Sequence, residues 1–133
     1  VQYLVKAAGY GSNLLLNVGP MPNGKIQDEH IESLKKIGKW VKQNGQTIYN
    51  TKRGPISPSD EIASTQDGNI VYIHLLDNNK SEYFIEGFKS KFKNISYLDS
   101  NKKVSYKKTK TGLHLILDKK EINSIDTILI MEL

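Results

Sequence analysis

The sequence predicts two unlike parts: an α/β strand–loop–helix unit over residues 1–49 and a small antiparallel β-sandwich over residues 67–133, joined by a connector at 50–66. Three observations carry this division. A short, almost wholly apolar run, Leu14-Leu15-Leu16-Asn17-Val18, closes on Gly19-Pro20, the pattern of a strand buried on both faces. A stripe at helical spacing follows, through Ile31, Leu34, Ile37, Gly38 and Val41. From Ile70 onward the period shortens, and short β-type runs alternate with turn residues.

The elements follow in order. Val1–Ala8 has the character of a helix end. Gly19, Pro20, Pro22, Asn23 and Gly24 break the apolar strand and build a loop. Asp28 and Glu29 then open a helix where carboxylates complement its positive end, and Lys39 and Lys42 sit near its close. Asn44-Gly45 is the expected stop, glycine tolerating the left-handed conformation in which helices often finish. Turn chemistry in Asn50–Pro55 and Ser57–Asp60 marks the connector. The expected strands are Ile70–Leu76, Tyr83–Ile85, Ile95–Leu98, Val104–Lys107, Leu113–Leu117 and Thr127–Leu133. Asp67-Gly68-Asn69, Asp77-Asn78-Asn79 and Thr111-Gly112 separate them, the last as a hairpin turn. Six short strands at such spacing suggest a sandwich. A strand buried on both faces needs parallel neighbours, and none is supplied near Leu14–Val18. The opening therefore reads as the last piece of a larger α/β domain.

The run Gly9-Tyr10-Gly11-Ser12-Asn13-Leu14-Leu15-Leu16-Asn17-Val18-Gly19-Pro20, then Asn23-Gly24-Lys25-Ile26, resembles the final barrel strand and loop of the family 29 glycoside hydrolases, the α-L-fucosidases. Gly38–Tyr49 is similar to the close of the helix that follows in that family. The chain departs from the pattern at Tyr10-Gly11-Ser12, where paired glycines more often precede the asparagine. The resemblance implies a fold class of α/β plus all-β: the last strand–helix unit of a (β/α)8-type barrel followed by an accessory β-sandwich. It implies a retaining hydrolase of terminal α-L-fucose that works without a cofactor on fucosylated glycans. It also implies a partner, the missing N-terminal part of the same polypeptide. A periplasmic or secreted location fits the resemblance, while the sequence itself leaves the compartment open.

Candidate chemistry is sparse. Retaining glycosidases use two carboxyl groups roughly 5–5.5 Å apart, and the motifs expected to carry them lie on earlier barrel strands that nothing here matches. Asp28, Glu29 and Glu32 read as solvated helix carboxylates, and Asp60-Glu61 as turn residues. No catalytic residue is therefore expected on this chain. Because loops at the C-terminal ends of barrel strands build the active-site face, Asn17, Gly19, Pro20 and Met21 become candidates for the substrate rim. The competing reading has Asn13 and Asn17 satisfying backbone groups at the strand ends. His30, His74 and His114 lack ligand-like spacing and cysteine is absent, so no metal site is expected. No run approaches the roughly 18 apolar residues of a membrane span.

Trp40 is expected to pack against the segment that follows the helix rather than to serve as a sugar platform. Eight lysines between Lys89 and Lys110 (89, 91, 93, 102, 103, 107, 108 and 110) face one acid, Asp99, and give much of the net charge of +5. Interleaved with Phe88, Phe92, Tyr97 and Tyr106, they suit either a polyanion-binding face or the solvated face of an edge strand. The second reading is preferred, with no nucleic-acid partner expected. A non-catalytic carbohydrate-binding or spacer sandwich stands as the other alternative.

Overall fold

Period-2 alternation becomes sheet structure throughout the second half of the chain. A computed structural model describes residues 1–133. It has two helices, α1 (Gln2–Tyr10) and α2 (Asp28–Asn44), and eight strands. The strands are β1 (Lys52–Arg53), β2 (Ile62–Asp67), β3 (Ile70–Leu75), β4 (Glu82–Glu86), β5 (Asn94–Tyr97), β6 (Ser105–Lys108), β7 (Gly112–Ile116) and β8 (Thr127–Glu132). One sheet has the order β1-β2-β3-β8-β5 and the other β4-β7-β6. Every pairing is antiparallel. All six expected strands are present, and Thr111-Gly112 closes the β6–β7 hairpin.

Alternate residues of the two sheets meet in one core. Val71, Ile73 and Leu75 of β3, Leu129 and Met131 of β8, and Ile95 and Tyr97 of β5 face Tyr83, Ile85, Leu113 and Leu115 of the smaller sheet. The opposite face of the larger sheet is covered by helices. There Ala63, Leu76 and Ile128 pack with Val5 of α1 and Trp40 of α2 in a second, smaller cluster. The molecule is thus layered as helices, a five-stranded sheet and a three-stranded sheet.

Helix α1 lies close on β2 because residue 9 is glycine. A Cβ there would come within 2.9 Å of Pro58 Cγ and 3.1 Å of Ala63 Cβ. Gly9→Ala should therefore cost about 1–3 kcal/mol by overpacking, although alanine favours a helix interior by roughly 1 kcal/mol. A rise in the urea midpoint of that variant would refute close packing as the reason for glycine.

Burial also moves a titration. Tyr83, whose hydroxyl donates to the Asp77 carbonyl at 2.6 Å, is pushed up to about 12 from 10.0 by burial, with the Asp77 carboxylate adding to the rise. A phenol kept protonated by the fold contributes its stability fully below about pH 10 and loses it as pH rises toward 12. Urea midpoints should fall across that interval, and Tyr83→Phe should flatten the fall. Equal slopes in both proteins would exclude Tyr83 as the cause.

Three expectations need correction. Leu14–Val18 is not a strand, and no regular element is assigned between Ser12 and Pro20. A strand requires hydrogen-bonded neighbours, and none runs beside this segment; Leu14, Leu15 and Leu16 are 40%, 93% and 53% exposed. Helix α2 does end at Asn44, but Gly45 is right-handed (φ −57°) and begins a short 3-10 turn to Thr47. The Tyr49 ring packs closely there, its nearest carbons 3.1 Å from where a Cβ would stand, so a side chain would have to displace the ring slightly. Finally, the connector carries β1 and β2. Strand β2 was obscured by polar residues that are nonetheless buried: Ser64 Oγ donates to the Ile56 carbonyl and accepts from the Ile56 amide, both at 2.9 Å.

Candidate functional site

The segment between the two helices holds the rim candidates. Asn17, Gly19 and Pro20 are exposed and Met21 is half-buried. The loop is tied at its far end: the Met21 amide donates to the Lys25 carbonyl and the Gly24 amide to the Met21 carbonyl, each at 2.8 Å. Asn23 Oδ1 accepts from the Lys25 amide at 3.1 Å, completing a local turn ahead of α2. The four candidates therefore share one loop beside an exposed apolar segment. Backbone satisfaction by Asn13 and Asn17 is not seen, because the strand ends they were to serve are not formed.

The carboxylates do not converge on that loop. Asp28, Glu29 and Glu32 are exposed on α2. Asp60 takes a hydrogen bond from Lys6 at 2.8 Å, and that ammonium holds its carboxyl below the usual range. Glu61 pairs with Lys80. Asp126 is buried with His74, Oδ2 lying 2.7 Å from His74 Nδ1, beneath the helices rather than beside the loop. Sequence spacing gave no sign of this pair, since 52 residues separate its members. Its only trace was the position of His74 in a strand otherwise built of apolar and aromatic residues.

The histidines are dispersed: His30 on α2, His74 on β3 and His114 on β7, the last within 3.1 Å of Glu82 Oε2. No group of three or more potential metal-ligating side chains is assembled. Trp40 is 6% exposed and packs in the helix–sheet cluster, as its place near the end of the apolar stripe implied.

Lys107 and Lys108 of the lysine-rich segment lie on one edge of the smaller sheet, and the other six lysines flank β5 and β6. Strand β6 is outermost there, and all four of its residues are exposed. Lys108 Nζ lies 3.9 Å from the centre of the Phe92 ring, which meets Tyr106 edge-on at 5.0 Å. Lys93 pairs with Glu132 at 2.7 Å. Lys102 pairs with Glu121, raising the lysine's pKa and lowering the glutamate's. Lysine on an edge strand discourages strand addition, and Lys107 and Lys108 occupy such a strand.

Comparison with known proteins agrees with the layout. A family model described as alpha-L-fucosidase matches residues 1–46. The plasma alpha-L-fucosidase of Homo sapiens is 43% identical over 51 residues, 38% of this chain and 11% of that protein. The tissue alpha-L-fucosidase of Bos taurus is 38% identical over 77 residues, 57% of this chain and 16% of that protein. Among solved structures, the crystal structure of Thermotoga maritima alpha-fucosidase in complex with a mechanism-based inhibitor superposes with a TM-score of 0.87 at 27% identity, covering 100% of this chain and 34% of that one. The matched regions thus span a small part of the curated relatives and about a third of the solved structure. Residues 1–46 thus carry the alpha-L-fucosidase match, and the chain as a whole is similar to a C-terminal portion of family 29 fucosidases.

Proposed function

We propose that this chain supplies the last strand–helix unit of the catalytic (β/α)8 barrel and the accessory sandwich of a retaining α-L-fucosidase. The whole enzyme would hydrolyse terminal α-L-fucose from glycoconjugates, with its nucleophile and acid/base carboxylates on a more N-terminal segment. One observation carries this reading. Eight of the twelve exposed large hydrophobic side chains lie in residues 1–49: Tyr3, Tyr10, Leu14, Leu15, Leu16, Ile26, Leu34 and Tyr49. Exposed large apolar side chains concentrated in one part of a chain suit an interaction surface. Here it lies on the part that matches the family model, as expected of barrel strands and helices waiting for their neighbours. In the assembled barrel Leu14–Val18 would gain ladder partners, and Asn17, Gly19, Pro20 and Met21 would lie on the substrate rim.

The test is reconstitution. The 133-residue chain alone should not turn over an aryl α-L-fucoside, because one βα unit of eight cannot form the pocket. Joined to, or co-expressed with, its N-terminal segment it should do so, with the first-formed fucose keeping the α configuration by NMR. A reconstituted protein that binds fucosylated glycans without cleaving them, or one that inverts, would defeat the proposal.

A further inference from the structure

We propose that the groove between α2 and the sandwich is a second glycan-binding site, one that holds a neutral oligosaccharide away from the rim loop; this rests on the reading of the protein as a glycan-processing enzyme. The groove encloses about 760 Å³, within the range of small-ligand sites, and it lies at a junction between packed layers, where such sites concentrate. The end of α2 and the 3-10 turn form one wall, and the loops after β5 and before β8 form the other.

Its lining suits sugar hydroxyls. Gln43 and Gln46 offer carboxamides, each able to donate and accept, and Asp99 offers a carboxylate able to take two neighbouring hydroxyls. Asn123 is half-committed: its Oδ1 accepts from the Ile125 amide at 2.9 Å, which leaves Nδ2 as a donor. Ile125, 45% exposed, and the half-buried Leu98 supply apolar surface for the C–H face of a pyranose ring. Lys36 and Lys39 of α2 outnumber Asp99, so the groove carries one surplus positive charge, borne on exposed flexible side chains whose heads can turn to water; the carboxamides of the lining are what match a neutral ligand.

The groove is also longer than one sugar. A second hollow of about 210 Å³ adjoins it, and Asp99 and Asn123 line both. These two side chains therefore stand between the hollows, within reach of a ligand in either. A ligand of more than one ring would be gripped there at its middle.

Calorimetric titration of the full-length protein, with fucose present at saturation, tests this. The probes are cellotetraose, xylotetraose, mannotetraose and β-1,4-galactotetraose, with tetragalacturonate as the anionic control. At least one neutral probe should bind. Asp99→Asn, which keeps shape and loses charge, and Asn123→Asp, which keeps the bond from Ile125 and loses the donor, should each weaken it by about tenfold or more. Hydrolysis of the aryl fucoside should be unchanged in both variants. Absence of binding by every neutral probe, equal binding by both variants, or preference for tetragalacturonate would overturn the second site. Failure of fucoside hydrolysis would count against the catalytic reading alone, since the glycan titration is scored separately.

Discussion

Trp40→Ala should lower the stability of the protein by about 3–5 kcal/mol, the usual cost of truncating a buried tryptophan, while the affinity of the enzyme for an aryl fucoside stays nearly constant. Trp40 is the only residue of α2 classed as buried, so one side chain provides most of that helix's hold on the sheet. It reaches Val5, Ala63, Leu76 and Ile128, which come from α1, β2, the end of β3 and β8. Losing the indole leaves a void where three layers of sequence meet, and α2 has little else to hold it: Ile31, Ile37 and Val41 are half-buried and Leu34 is exposed. Chemical denaturation of the two proteins measures the difference. An unchanged midpoint together with lost fucoside binding would make Trp40 a ligand platform instead.

His74→Ala should be comparably damaging, at about 3–5 kcal/mol, because it strands Asp126 in an apolar interior. Both side chains are 0% exposed, and Asp126 Oδ1 has no hydrogen-bond partner besides. The carboxylate depends on one imidazole contact, 2.7 Å long. Replacing both members, as His74→Leu with Asp126→Val, should destabilise far less than the sum of the single changes, since no polar group is then left unpaired. A double-mutant cycle by urea denaturation reads the coupling directly. Strictly additive single losses, each below about 1 kcal/mol, would show that the pair is incidental.

Much of this architecture could be read from the residues. Alternation of Leu113, Leu115 and Leu117 marked the side chains that face the core, and the structure buries all three; in Val104/Tyr106 it buries Val104 and leaves Tyr106 exposed. The helical stripe from Ile31 to Val41 placed α2 correctly, because amphipathic spacing and end signals agree there. Strand β2 was not legible: Ser64, Thr65 and Gln66 look like loop until tertiary contacts bury two of them completely. Nor was the state of Leu14–Val18. Its composition describes a strand between neighbours, and composition alone cannot supply the neighbours. The rim candidates share that dependence, since their placement follows from the strand. The His74–Asp126 contact was invisible for a different reason, as only the fold brings β3 and the approach to β8 together.

The order of strands in the larger sheet has a consequence for how the protein is made. Strand β8 comes after the other seven in chain order, yet it lies in the middle, bonded to β3 on one side and β5 on the other. The ribosome must therefore release residues 127–132 before the sheet can close, and until then β3 and β5 wait with open edges. Such non-local pairing is slow and exposes the nascent chain to association. Loss of residues 127–132 would remove the keystone of the sheet, not a peripheral strand.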